Sequence, residues 1–334
     1  STRQINVGVD ATLLNGRLAV SLDYFDKKTS DMLVEKPYIA VIGEGGYCWY
    51  NGGTMSNKGL EMSLSWRDKV KDFQYNVDVN FSYYKNKVTD LTEDIYYTYG
   101  GGNGVDKTLV GESFGSWMGF KTDGVFRTQE EVNEYKSKYD VQFGAPGVGR
   151  IKYVDANGDG DINTNDRVWL GSDNPKVIGG LTLGASWKGF DLSAIFAYSI
   201  GGYIYNRDVT MILHNGSLEG RDWSTEILKR WTPDNRYTDV PALSTTSNNW
   251  NSASTRFLQN NSYMRLKNLT LSYNLPKQWI SKLSLSSVQV YVQGDNLFTI
   301  HRNQGLDPEQ GITGITYYRY PAMRTISGGI NVSF

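Results

Sequence analysis

The stretch Phe73-Gln74-Tyr75-Asn76-Val77-Asp78-Val79-Asn80-Phe81-Ser82-Tyr83 decides the fold. From Tyr75 to Tyr83 its odd positions are apolar or aromatic and its even positions polar or charged. A strand sends successive side chains to opposite faces, so this segment has one greasy face and one wet face. The pattern recurs along the chain. Ile5, Val7, Val9, Ala11 and Leu13 are interleaved with Asn6, Gly8, Asp10 and Thr12. Ile326, Gly328, Ile330, Val332 and Phe334 share one face at the other extreme, and the final residue is aromatic. A small soluble sandwich also alternates. The polarity of the second face, the length of the runs and that aromatic final residue point instead to a wall between lipid and water. The fold expected is all-β, a transmembrane antiparallel β-barrel.

Composition agrees. The 334 residues are 39% hydrophobic, with a mean hydropathy of -0.45. No run approaches the roughly 20 apolar residues of a spanning helix, a test that a barrel escapes because only alternate residues must be apolar. Aromatic residues make up 13% of the chain, with 23 Tyr and 9 Trp, enough for girdles at two membrane interfaces. A net charge of -1 gives no electrostatic case for nucleic acid. The single cysteine, Cys48, has no internal disulfide partner and is expected to be a buried or inert thiol in a Gly/Tyr-rich loop. No secretion leader precedes Ser1, so the chain reads as a mature protein or a piece of a longer one.

Nine strands follow from the alternation: Gln4–Leu14, Arg17–Val34, Asn57–Trp66, Phe73–Val88, Gly180–Trp187, Phe190–Ile200, Tyr263–Leu275, Ser287–Ile300 and Arg324–Phe334. Asn15-Gly16 is a strong hairpin signal because both residues tolerate positive φ. The connections at Asn15-Gly16, Asp68–Lys71, Lys188-Gly189 and Pro276–Ser284 are short, and those near 35–56, 89–115, 201–256 and 301–322 are long. Sorting short turns to one side and long loops to the other is the asymmetry of outer-membrane barrels, whose short turns face the periplasm. Parity then requires that 89–179 hold an even number of crossings or none. An odd strand total cannot close alone as the usual bacterial barrel, so part of the wall is expected to lie outside these residues. In the long connections, Thr128-Gln129-Glu130-Glu131 has the capping-box form and opens a helix to about Lys138. Trp223–Trp231 reads as another helix, stopped by Pro233.

One motif carries chemistry. Asp155-Ala156-Asn157-Gly158-Asp159-Gly160-Asp161-Ile162-Asn163-Thr164-Asn165-Asp166 matches the EF-hand calcium loop at most of its ligand positions, with Gly160 at the sharp turn and Ile162 placed to tuck inward. The candidate ligands are Asp155, Asn157, Asp159, Asp161, Asn163 and Asp166, the last standing where Glu usually closes the loop. The same run also closes as Asx and Gly turns that need no metal. Converging carboxylate and amide oxygens favour a cation, and a structural Ca2+ is the expected cofactor, with no organic one. Catalysis finds no footing: His214 and His301 are the only histidines, both expected in loops, and no Ser/His/carboxylate arrangement can be drawn from them. Gly100-Gly101-Gly102-Asn103-Gly104 follows no βα pattern and is not a phosphate cradle. Asp10, Asp23, Glu61 and Asp78 fall on the wet face and suit a hydrated interior.

Several segments, taken in order, resemble the C-terminal part of the SusC/RagA family of TonB-dependent transporters. They include Asp23-Tyr24-Phe25, Asn57-Lys58-Gly59-Leu60-Glu61, Phe120-Lys121-Thr122-Asp123-Gly124-Val125-Phe126 and Gly149-Arg150-Ile151-Lys152-Tyr153. Further along are Lys188-Gly189-Phe190-Asp191, Arg230-Trp231-Thr232-Pro233-Asp234, Ser262-Tyr263-Met264-Arg265-Leu266-Lys267-Asn268-Leu269, Gly294-Asp295-Asn296-Leu297-Phe298 and Gly305-Leu306-Asp307-Pro308-Glu309. The resemblance implies a barrel of about 22 strands with a plugged lumen. Residues 1–334 would be its C-terminal part, the plug and first strands being absent. It implies an outer-membrane importer of glycans or peptides, driven by the TonB complex and capped by a SusD-like surface lipoprotein. A smaller passive porin or adhesin barrel, and a soluble calcium-dependent carbohydrate-binding β-sandwich, are the alternatives that the residues leave open.

Overall fold

The computed structural model describes residues 1–37, 46–91, 109–206, 224–243, 254–280, 285–310 and 320–334. Alternation produces long antiparallel strands: β1 (Thr2–Leu13), β2 (Leu18–Pro37), β3 (Tyr47–Val70) and β4 (Phe73–Leu91). Outside the wall come β5 (Ser116–Gly119), β6 (Thr122–Val125), α1 (Gln129–Lys138), β7 (Asp140–Val141), β8 (Ile151–Tyr153), β9 (Asp161–Ile162) and β10 (Val168–Ser172). The wall resumes with β11 (Val177–Trp187) and β12 (Phe190–Ile200), is interrupted by β13 (Tyr203–Tyr205) and β14 (Leu258–Asn260), and continues with β15 (Tyr263–Asn274). A single helical turn, α2 (Lys277–Ile280), precedes β16 (Ser287–His301) and β17 (Thr325–Ser333). No described helix is long and apolar enough to cross a membrane.

Among the described residues one nine-stranded sheet runs β1-β2-β3-β4-β11-β12-β15-β16-β17. β4 pairs directly with β11, so the intervening segment makes no described crossing of the sheet, as parity required. β1 and β17 each have a neighbour on one side only, and the barrel is not closed.

The register fixes both faces. Val9, Leu22, Met62 and Phe81 stand opposite one another across β1 to β4, as do Trp66, Val77, Leu183 and Ala194 from β3 to β12. This apolar side leaves Val9 65%, Leu192 43% and Val292 54% exposed, which in water would be an unpartnered patch of unusual extent. Near the short turns the row Phe73–Trp187–Phe190–Tyr273 is wholly aromatic, with Phe190 and Tyr273 rings 4.5 Å apart. Toward the long loops, Tyr24, Leu60 and Tyr83 form the last apolar row. From Phe73 to Tyr83 the strand advances about 34 Å, and a tilt of 35–45° makes that about 24–28 Å of height, the thickness of the apolar band of a membrane barrel.

Several sequence expectations are corrected. β3 begins at Tyr47, not Asn57, and pairs with β2 out to Pro37, so much of 35–56 is a hairpin arm rather than a loop. Cys48 therefore sits in a strand. The turn between β3 and β4 shrinks to Lys71-Asp72, because Asp68 through Val70 remain in register with Tyr75 through Phe73. His301 is the last residue of β16 rather than a loop residue. Strict alternation fails at Lys267, an extra residue of β15 against β12 that faces the bulged pair Asn296 and Leu297 of β16 on its other side. The bulge brings Arg265, Lys267 and Asn268 to the wet side within one short stretch. The expected helix near 223–231 is a 3-10 helix over Thr225–Lys229 capped by Ser224, with Trp223 outside the described residues. His214 and Gly100–Gly104 also lie outside them.

Between β4 and β11 the chain builds a small body whose core is Phe120, Phe126, Val132, Tyr135, Ile151, Tyr153 and Ile162, completed by Phe257 from just before β14. Phe120 stacks on Phe143 at 4.2 Å, and Phe126 meets Tyr135 edge-on at 5.0 Å. α1 forms where expected: the Thr128 hydroxyl accepts the Glu131 N–H at 3.3 Å. The Glu131 carboxylate reaches past the cap to accept the Arg127 N–H at 2.8 Å, a one-residue departure from the capping box.

Candidate functional site: the polar face and its outer rim

The wet face is a ladder of short polar side chains that satisfy one another. The Asp78 carboxylate accepts from the Ser65 hydroxyl and, at 2.6 Å, from the Asn76 amide. Asp191 accepts from Ser186 at 2.5 Å and from Asn274 at 2.6 Å, and Asp295 accepts from Asn268 at 2.8 Å. Glu61 accepts from Ser82 at 3.3 Å, and Asp23 from Ser21 at 3.4 Å. Asp10, Asp23, Glu61 and Asp78 thus lie on the face the sequence assigned them, in register with Ser21, Gly8, Ser82 and Ser65 respectively. Toward the loops this face borders a recess of about 890 Å³ whose lining includes Asp23, Glu61, Asn80 and Ser82 from the wall and Asn174, Tyr263 and Glu309 from the rim. Carboxylates and amides there can hold hydroxyl- or amide-rich molecules, and among the described residues no acid–base–nucleophile constellation accompanies them. Among the described residues the His301 ring is hydrogen-bonded to the carbonyl and side-chain oxygen of Asn303, at 3.0 and 3.1 Å.

The rim is pinned by a buried ion-pair cluster. The Arg265 guanidinium, its side chain 4% exposed, donates to Asp307 and to Glu309, both at 2.5 Å, and to the Thr299 hydroxyl at 2.7 Å. Lys267, carried by the bulge, donates to Glu309 at 2.6 Å. The Glu309 and Ala322 N–H groups complete Asp307 at 2.9 and 2.7 Å. Burial alone pushes the Asp307 carboxyl upward; those N–H donors and the guanidinium outweigh it and hold its pKa below the usual value. The sequence showed both halves of this cluster as separate motifs and gave no sign that they meet.

The Asp-rich loop docks on the outer core by Ile162, fully buried as expected, and by Asp166, 1% exposed. Its acceptors serve the loop's own backbone. Asp155 receives Gly158 and Gly160 N–H at 2.6 and 3.0 Å, Asn157 receives Asp159, Asp159 receives Asp161, and Asn163 receives Asn165. Asp166 accepts from Ala156 and Asn163, both at 2.9 Å. Gly158 and Gly160 take φ of +79° and +87°, which suits glycine. Burial raises the Asp161 pKa first, and Asp159, Asp140, Asp155 and Asp166 add to it by repulsion. Among the described residues no three His, Cys, Asp or Glu side chains stand in a metal-holding arrangement. The donor set is all oxygen, and each carboxylate oxygen bonded to one N–H keeps a further lone pair, so the residues suit a hard cation.

A sheet with a lipid-facing apolar band, an aromatic row near the short turns, a self-satisfied polar interior and an organised rim defines the wall of an outer-membrane β-barrel. The chain belongs to the family described as TonB dependent receptor-like, beta-barrel, whose model matches residues 1–206. It is similar to the TonB-dependent receptor P3 of Formosa agariphila, 30% identical over the whole chain and 34% of the relative. It is also similar to the TonB-dependent receptor SusC of Bacteroides thetaiotaomicron, 26% identical over 98% of the chain and 31% of the relative. Among solved structures, the RagAB peptide transporter superposes on the whole chain with a TM-score of 0.80 and 28% identity, over 35% of its own length. The resemblance to SusC and RagA read from the ordered motifs is borne out. The chain spans about a third of the length of these relatives.

Proposed function

We propose that residues 1–334 form part of the barrel wall and outer face of a TonB-driven importer of glycans or peptides, in which further strands and a plug complete the barrel. The carrying observation is the nine-stranded sheet with an unpaired edge at β1 and another at β17. A polar interior lined by mutually bonded carboxylates, amides and hydroxyls fits passage, and among the described residues no catalytic grouping competes with that reading. A SusD-like surface lipoprotein would seat on the rim held by Arg265, and the RagAB likeness favours that pairing. The test is uptake of labelled oligosaccharides and oligopeptides by cells carrying the intact receptor. The expected result is saturable uptake that stops when TonB is removed and when the neighbouring lipoprotein gene is deleted. Uptake indifferent to TonB would favour the passive porin. A chain that stays dispersed without detergent would favour the soluble sandwich.

The Asp-rich loop supports a second, local proposal: a Ca2+ ion held by Asp155, Asn157, Asp159, Asp161, Asn163 and Asp166 that stiffens the loop and takes no part in transport chemistry. The all-oxygen donor set gathered on one short loop, with positive φ at Gly158 and Gly160 closing its turns, favours it. Chelation should expose 150–170 to protease, and Asp155→Ala with Asp159→Ala should abolish the calcium dependence. Protection unchanged by chelator in the parent protein overturns the proposal.

A further inference from the structure

Just above the apolar band, on the lipid-facing side of β1 to β4, the outward residues change from apolar to basic. One row reads Ile5, Asp26, Lys58, Lys85 across β1 to β4, still apolar at β1; the next reads Arg3, Lys28, Ser56, Lys87 across the same strands. Lys28, Lys58, Lys85, Lys87 and Arg3 are all exposed. Lys58 directly follows, on the same face, the row of Tyr24, Leu60 and Tyr83 that closes the band. Lys85 stands directly opposite Lys58, and Lys28 directly opposite Arg3. Partners in an antiparallel pair are about 4.5–5.5 Å apart at Cα, and like charges so placed destabilise the sheet. Among the described residues only Lys58 has a carboxylate partner in the patch, Asp26 at 2.7 Å. Among the described residues the Arg3–Lys28 pair has no carboxylate beside it, and the Lys58–Lys85 pair shares the single carboxylate of Asp26, so the patch keeps a cationic excess.

We propose that this patch binds the phosphorylated headgroup of an outer-leaflet glycolipid. Its height selects a lipid: the cations lie where headgroups begin, on the side that meets hydrocarbon one row below. The side of the membrane follows from the sorting of the connections, because the patch is on the long-loop side, away from the short periplasmic turns. Phosphate oxygens between opposed ammonium groups replace repulsion with charge-assisted hydrogen bonds. The hairpin arm of β2 and β3, continuing outward to Pro37 and Tyr47, gives the sugar portion a surface to lie along.

The inference rests on the wall assignment alone. Its test uses the intact receptor containing this chain, purified in non-ionic detergent, with three probes: a bisphosphorylated diglucosamine lipid, the same lipid with its phosphates removed, and inorganic phosphate. Binding is read by native mass spectrometry and titration. The phosphorylated lipid should bind. The variant Lys28→Gln, Lys58→Gln, Lys85→Gln, Lys87→Gln should weaken it on the order of a hundredfold, from roughly fivefold per cation before screening, whereas Lys188→Gln at a periplasmic turn should change nothing. Should the fourfold variant fail to fold, Lys85→Gln alone should lower affinity about fivefold. Equal binding of the dephosphorylated lipid, saturation by inorganic phosphate alone, or a variant that binds as the parent does overturns the inference. A receptor that needs no detergent overturns the wall assignment instead.

Discussion

Replacing Arg265 with Met should unfasten the rim while leaving the wall intact. Arg265 and Asp307 are almost wholly buried, their side chains 4% and 2% exposed, and the guanidinium bridges two carboxylates and a hydroxyl. Truncating one member of a buried pair costs about 3–5 kcal/mol, because the partner stays charged and desolvated. Asp307 would keep the N–H groups of Glu309 and Ala322, which places the expected cost at the lower end, about 3 kcal/mol. At 1.4 kcal/mol per decade that is roughly a hundredfold rise in the opening equilibrium of 302–310. Hydrogen exchange on the detergent-solubilised receptor should show that loss of protection in 302–310 and no change in β11 or β12. Arg265→Met combined with Asp307→Asn should recover much of the loss, since no buried charge is then stranded. Lys267→Met, which removes one half-exposed contact with Glu309, should have a small effect. Unchanged protection in Arg265→Met would refute the reasoning that this cluster fastens the rim.

Acid should open the same segment. The folded pKa of Asp307 lies below its ordinary value, so its contribution is complete above about pH 4 and is lost as pH falls through the folded value, a dependence that exchange rates across an acid series would report. Val79→Arg, near mid-height on the lipid side, should destabilise the barrel by about 2–4 kcal/mol in denaturant-dependent folding into bilayers, while Asn80→Arg should be tolerated. Leu192→Arg should cost less than Val79→Arg, because the register puts Leu192 next to the aromatic row of Phe190; equal costs at Val79 and Asn80 would reject the faces. Ile162→Ala should loosen the outer body by about 2–5 kcal/mol, seen as proteolysis within 140–170 at unchanged barrel stability.

The wall was legible because a period of two, repeated over ten or so residues, marks a strand with two unlike faces and little else. Strand ends were less so. The stretch Tyr47–Ser56 reads as a loop because Asn51-Gly52-Gly53 interrupts its alternation, yet it is held in the sheet by β2 through two register shifts near Met32. The bulge at Lys267 was hidden for a related reason: it changes which parity faces inward without changing composition. The outer body left no periodic trace, since its strands are only a few residues long and its core is gathered from Phe120 through Ile162 plus the distant Phe257. In the Asp-rich loop the burial of Ile162 was readable from spacing, whereas the return of each side chain to the loop's own backbone was not.

The direct pairing of β4 with β11 means that the described residues 109–176 form an insert between neighbouring strands of the sheet. An insert placed that way can change in length without shifting the register of the strands beneath it, so long as its contacts with Val88 and Phe257 are kept. Selection can therefore rework what the cell surface displays while the part buried in lipid stays constant, and an engineer could swap the same cassette between relatives.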